Sequence, residues 1–216
     1  MNQPRRKRIG LSQPGMISYL HPMKRIAIFC GSSSGFSELY ARHAGIVGRY
    51  LAERKIQIIF GGGRLGLMGI LADAAMEAGG SVVGVIPDFL NIKEVAHDGV
   101  SRLITVGSMH ERKATILEMS DGFIALPGGF GTLDELFEML TWGQLGLHTK
   151  PVGILNVNGF FSGVLRTADN MVSEGFLKKV NREMILISDR IDDLLERMAA
   201  YRAPAVPKWI SGQDNP

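Results

Sequence analysis

Residues 25–35 read Arg-Ile-Ala-Ile-Phe-Cys-Gly-Ser-Ser-Ser-Gly. The five residues from Ile26 to Cys30 are apolar without alternation. So short a run, ended by small turn residues, suits a strand covered on both faces. A helical pattern follows over 37–54. The same order then recurs. Strands are expected at 25–30, 56–60, 82–86, 102–106, 122–126, 151–155 and 184–188. Helical patterns fall near 37–54, 66–78, 109–119, 132–145, 160–173 and 189–201. Strand–helix alternation implies parallel strands joined by right-handed crossovers. The expected fold is α/β, a Rossmann-like doubly wound parallel sheet in one domain.

The bulk properties agree with one such domain. The chain has 216 residues, 45% hydrophobic and 21% charged, close to an ordinary soluble protein. Its 27 glycines cluster after apolar runs, so they mark tight loops and not low complexity. The net charge of +3 owes much to Arg5, Arg6, Lys7 and Arg8. The rest is near neutral, which argues against a nucleic-acid-binding face. Residues 1–22 are expected to form a disordered basic extension. Residues 23–202 are expected to form the Rossmann-like domain, and 203–216, with Pro204 and Pro207, an irregular tail. Cys30 is the sole cysteine, so no intramolecular disulfide or thiolate cluster forms. No run of about eighteen apolar residues spans a membrane. A cytoplasmic protein is expected.

In a doubly wound sheet, ligands bind beyond the carboxyl ends of the strands. Three glycine-rich turns stand there: Gly31-Ser32-Ser33-Ser34-Gly35, Gly61-Gly62-Gly63-Arg64 and Pro127-Gly128-Gly129-Phe130-Gly131-Thr132. Glycine permits close backbone approach to a ligand. A helix starting at about Thr132 would aim free N–H groups at the last turn, making an anion site suited to phosphate. Thr132 and Glu135 also match the S/T-x-x-E capping box, as do Ser108 and Glu111. The latter box places Arg112 and Lys113 early in a helix, where cations oppose the dipole unless an anion compensates them. The alternative for that pair is a solvated surface position.

Other chemistries find less support. Gly61, Gly63 and Gly66 fit G-x-G-x-x-G, with Asp88 as a ribose acid, which motivates a dinucleotide-dependent oxidoreductase. That fingerprint, however, follows the second strand and not the first. The five histidines lack metal-ligand spacing, no G-x-S-x-G elbow is present, and Cys30 reads as core. No metal or redox cofactor is called for.

Two motifs stand out together, Met-His-Glu-Arg-Lys at 109–113 and Pro-Gly-Gly-Phe-Gly-Thr-Leu-Asp-Glu at 127–135. They resemble the signatures of the LONELY GUY family of cytokinin-activating phosphoribohydrolases. The flanking Cys30–Ser33, Gly61–Gly63, Gly66–Gly69, Gly84–Pro87 and Thr141–Gly146 are similar too. The resemblance implies a homodimeric enzyme that hydrolyses the N-glycosidic bond of nucleoside 5′-monophosphates. It assigns Arg112 and Glu135 to catalysis. It assigns Glu94, Lys113, Gly128, Gly129, Phe130, Gly131, Thr132 and Thr141 to substrate binding. Ser33, Gly62 and Gly63, in the other two turns, are expected to join them. Phe130 stands where many members carry Tyr, and Asp134 where many carry Glu. The family is also often labelled lysine decarboxylase, a label that no pyridoxal-binding signature supports here. The donor that protonates the leaving base is left between Asp121 and Asp134. A non-catalytic carrier of a phosphate-bearing cofactor is the competing reading.

Overall fold

The computed structural model describes residues 23–92 and 95–204. The expected N-terminal extension, nearly all of the C-terminal tail and Glu94 lie outside the described residues.

Among the described residues, seven strands form one parallel sheet: β1 (Arg25–Phe29), β2 (Gln57–Phe60), β3 (Val82–Pro87), β4 (Arg102–Val106), β5 (Gly122–Ala125), β6 (Val152–Leu155) and β7 (Ile185–Ser188). Their spatial order is β4-β3-β2-β1-β5-β6-β7. The chain winds outward from β1 to β4, returns to the centre, and winds outward the other way through β5 to β7. Winding therefore reverses between β1 and β5, which pair directly with Ile26 opposite Gly122 and Phe29 opposite Ala125. That reversal opens a crevice at the carboxyl ends of these two strands.

Among the described residues, seven helices flank the sheet: α1 (Glu38–Glu53), α2 (Gly66–Glu77), α3 (Met109–Met119), α4 (Phe130–Gln144), α5 (Ser162–Ser173), α6 (Lys179–Arg182) and α7 (Ile191–Ala200). The unbroken apolar strands feed two cores. Ile26 and Ile28 of β1, with Ile124 of β5, pack with Leu51, Leu71 and Leu194 from α1, α2 and α7. Ala27, Phe29, Phe123 and Ala125 point the other way, onto Ile116, Leu136 and Ala168 from α3, α4 and α5. Alternate residues of one strand thus reach opposite layers, which is why no polar position interrupts β1 after Arg25.

All seven expected strands form, each within a residue or two of its expected bounds. Two features differ. The helix expected from Thr132 begins at Phe130, with Gly129 as its N-cap. The four-residue α6 was not expected, because it is too short to display a 3.6-residue period.

Candidate active site

Helix α3 follows β4. Its N-cap Ser108 accepts a hydrogen bond from the Glu111 backbone N–H at 3.1 Å. The Glu111 carboxylate accepts in return from the Gly107 N–H at 2.8 Å. The capping box therefore forms, with its return bond displaced one residue upstream. This fixes the first turn and carries Arg112 inward. The Arg112 Nε donates to the Val85 carbonyl at 3.1 Å, and its Nη1 lies 3.0 Å from Glu135 Oε1 of α4. Both side chains are about nine-tenths buried. The solvated alternative for Arg112 and Lys113 is thereby overturned: the anions that compensate the two cations are protein carboxylates.

Gly61 clears the space for this pair. A Cβ on Gly61 would stand 2.0 Å from Arg112 Nη2. Gly66 serves a second close approach. It adopts φ +61°, and a Cβ there would stand 2.3 Å from the Ser32 backbone. Two glycines of the dinucleotide-like fingerprint are thus explained by packing within the protein. The fingerprint also follows β2 and not β1, the strand beside which the winding reverses.

Lys113 reaches the other carboxylates of α4. Its Nζ lies 3.0 Å from Asp134 Oδ2 and 2.9 Å from Glu138 Oε2. Burial alone would lower the lysine's pKa, but Glu138 and Asp134 outweigh it and hold the ammonium above its ordinary value. Glu135 shifts in its own way. Burial pushes its carboxyl above the ordinary carboxylate range, against the pull of the Arg112 charge. Cys30, behind it, is pushed far up by burial and then by the Glu135 charge, so it stays an inert thiol.

Helix α4 opens on the glycine-rich turn without a side-chain cap. Thr132 is its third residue and is buried, so Thr132 and Glu135 do not form the expected capping box. The first-turn N–H groups have no acceptors within the helix. Cβ atoms added at Gly129 and Gly131 would meet nothing within 4 Å, whereas one at Gly128 would strike Thr132 Oγ1 at 2.1 Å. Gly128 is therefore a packing glycine, and Gly129 and Gly131 face open ground. Phe130 between them is almost fully exposed. The Gly31 N–H donates to the Pro127 carbonyl at 3.0 Å, tying this turn to the one after β1. Between the two lies a cavity of about 290 Å³, walled by Ser33, Tyr40, Leu67, Gly129 and Phe160. Arg112 and Glu135 are not among its lining residues.

The remaining expected site residues are scattered. Gly62 accepts from the His97 N–H, and Arg64 donates to the Val95 carbonyl. Gly63 pairs with Ala96 in an antiparallel bridge. The 61–64 turn thus anchors the segment from Val95 to His97. The Thr141 hydroxyl donates to the Phe137 carbonyl of its own helix at 2.7 Å. Asp121 is placed at the opposite, amino-terminal edge of the sheet. There it accepts from the Lys24 and Arg25 N–H groups and from the Arg25 guanidinium, so it is excluded as a donor to the leaving base. Sequence reasoning missed the Val85 carbonyl, which has no side-chain signature. It also missed Glu138, although its spacing four residues after Asp134 was available.

Comparison with known proteins follows the same lines. The family model described as possible lysine decarboxylase matches residues 68–198. Among curated relatives, cytokinin riboside 5′-monophosphate phosphoribohydrolase LOG5 of Arabidopsis thaliana is 44% identical over 83% of this chain and 78% of its own. The probable phosphoribohydrolase LOGL9 of Oryza sativa subsp. japonica is 44% identical over 82% of this chain and 78% of its own. Among solved structures, the molybdenum cofactor binding protein of Rippkaea orientalis aligns with a TM-score of 0.61 at 20% identity. It covers 83% of this chain and 98% of that one. The molybdenum cofactor carrier protein of Chlamydomonas reinhardtii aligns at 0.62 and 19%, covering 83% of this chain and all of that one. At such identities these two speak for the fold alone. The paired motifs, the buried Arg112–Glu135 contact and the identity to the plant enzymes agree that this chain belongs to the family of cytokinin riboside 5′-monophosphate phosphoribohydrolases.

Proposed function

We propose that this protein hydrolyses the N-glycosidic bond of purine riboside 5′-monophosphates, cytokinin nucleotides among them, releasing the free base and ribose 5-phosphate. The observation that carries this reading is the buried Arg112–Glu135 ion pair, set one turn inside an uncapped, glycine-rich helix N-terminus. Cleaving the bond builds positive charge on the ribose in an oxocarbenium-like transition state. The Glu135 carboxylate stabilises that charge and orients water. An arginine guanidinium is a poor proton donor, so the role of Arg112 is to neutralise and clamp. The N–H groups around Gly129, Phe130, Gly131 and Thr132 hold the 5′-phosphate, a remote contact that orients the sugar. Ser33, Gly62, Gly63, Glu94, Lys113 and Thr141 complete the proposed substrate contacts, and the working form is a cytoplasmic homodimer.

The buried pair favours catalysis over cofactor carriage, since a carrier needs the phosphate turn but not a desolvated carboxylate beside it. Decarboxylation through a Schiff base would want a lysine of depressed pKa. Lys113 is shifted the other way, and Lys150, which burial does shift downward, lies beside Asp121 at the amino-terminal edge of the sheet and donates to the Leu117 carbonyl. The test is to compare AMP with adenosine. The reading predicts that removing the phosphate cuts kcat/KM by at least about a hundredfold, within the range that orientation supplies. Equal turnover of the two would refute the phosphate-anchoring part.

A further inference from the structure

Helices α3 and α4 meet through two adjacent rungs of charge. The first is Arg112 with Glu135. The second is Lys113, which sits between Asp134 and Glu138. The two rungs differ in exposure. Asp134 has more than half its side chain in solvent, whereas Glu138 has only a fifth and Lys113 about a tenth. A contact with the exposed Asp134 is weakened by water, so the enclosed Glu138 is the stronger partner. The contact at 2.9 Å is a charge contact more than an aligned hydrogen bond, for Glu138 Oε2 has no hydrogen-bond donor in good geometry.

Glu138 is one turn beyond Asp134 and three residues beyond Glu135, so the three carboxylates share one side of α4. Lys113 directly follows Arg112 on α3. Fixing Lys113 therefore fixes the rotation and axial setting of α3 at the point where Arg112 meets Glu135. Lys113 also has an alternative anion nearby, Glu135 itself.

We propose that Glu138 is a positioning residue for the hydrolysis: it holds Lys113 on the second rung, so that Arg112 alone pairs with Glu135. The proposal rests on the function given above, in which Glu135 acts as the carboxylate beside the ribose. It assigns Glu138 no contact with substrate.

The groups facing Glu135 are Arg112 and Lys113 from α3, Asp134 and Glu138 from its own helix, and Cys30 from the end of β1. Neutralising Glu138 removes one anion from this set and leaves Lys113 held only by the exposed Asp134, so that it can lean toward Glu135. Both changes favour the ionised carboxylate. The acidic limb of the kcat/KM profile should therefore move to lower pH.

The experiment measures AMP hydrolysis from pH 4 to 9 for wild type, Glu138→Gln, Glu138→Asp, Lys113→Met and the double variant Lys113→Met/Glu138→Gln. Glu138→Gln should lower kcat by about tenfold to a hundredfold, as misplacement of a catalytic group does, with KM changed less than about threefold. It should shift the acidic limb downward, and Glu138→Asp should recover part of kcat. In the Lys113→Met background, Glu138→Gln should cause no further loss, because its route to the site is already gone. A Glu138→Gln enzyme with wild-type kcat and pH profile would overturn the proposal, as would equal losses in both backgrounds. Should wild type itself release no base, the functional reading fails first, and the two failures are thus distinguished.

Discussion

At the scale of single residues, the account turns on a carboxylate kept out of water. Burial raises the Glu135 pKa above its ordinary 4.5. Catalysis needs the ionised form, so kcat/KM is predicted to fall with decreasing pH through a value above 4.5. A pH profile of AMP hydrolysis checks this, and a limb at or below 4.5 would contradict it. For stability the sign is opposite. The contribution of a raised carboxyl is full below its unfolded pKa and is lost as pH rises through the folded one, so Glu135 weakens the fold at neutral pH. Two glycines separate architecture from binding. Gly61→Ala would drive a methyl group into Arg112 Nη2, and kcat should fall by about a hundredfold. Gly131→Ala meets open space within a helix. It should stabilise the fold by roughly 0.5–1 kcal/mol while raising KM for AMP severalfold, because the methyl group occupies ground proposed for the phosphate. Unchanged KM would remove Gly131 from the binding turn. The identities of Arg112 and Glu135 were legible from their motifs. That Arg112 clamps Glu135 was legible only as one of two options, the other being the nucleotide, because the contact joins two helices through a tertiary approach that depends on Gly61, a residue with no side chain to announce it.

Elements explain why those residues stay in place. The Ser108–Glu111 box starts α3 one turn before Arg112. Ser108→Ala should cost about 1 kcal/mol of stability and reduce kcat more than KM, read from chemical denaturation and steady-state kinetics. A loss of stability with unchanged kcat would show that the cap does not position Arg112. The contrast with α4 is instructive. The S/T-x-x-E pattern is present in both helices, as Ser108–Glu111 and Thr132–Glu135, yet only the first is a cap. In α4 the helix starts two residues earlier, because Gly129 takes the N-cap place without offering a side chain. That leaves Thr132 and Glu135 buried and the first-turn N–H groups uncovered. Capping patterns are local and degenerate, so the sequence could not distinguish these outcomes. Strand positions were more legible, since a strand covered on both faces has no polar alternation to blur its ends.

Across the whole molecule, the sheet separates function from support. The carboxyl edge carries the glycine-rich turns and the Arg112–Glu135 pair. The amino edge carries Asp121, whose contacts with Lys24 and Arg25 staple β1 to β5. These partners outweigh burial and hold the Asp121 carboxyl below its ordinary value. Its contribution is present above the unfolded pKa and is lost as pH falls through the folded one. Asp121→Asn should therefore lower the melting temperature at pH 7, with a gap that closes under acid, and leave KM for AMP unchanged. A raised KM would contradict the separation of the two edges. Winding order could be anticipated only as a class. The alternation of strands and helices implies a doubly wound sheet, but the reversal between β1 and β5 emerges from pairing. Product analysis tests the central claim most directly: incubate the protein with AMP and with N6-isopentenyladenosine monophosphate, alongside Glu135→Ala. The account predicts free base and ribose 5-phosphate in equal amounts from wild type and none from the variant. Release of no base from either nucleotide by the wild-type protein would contradict it.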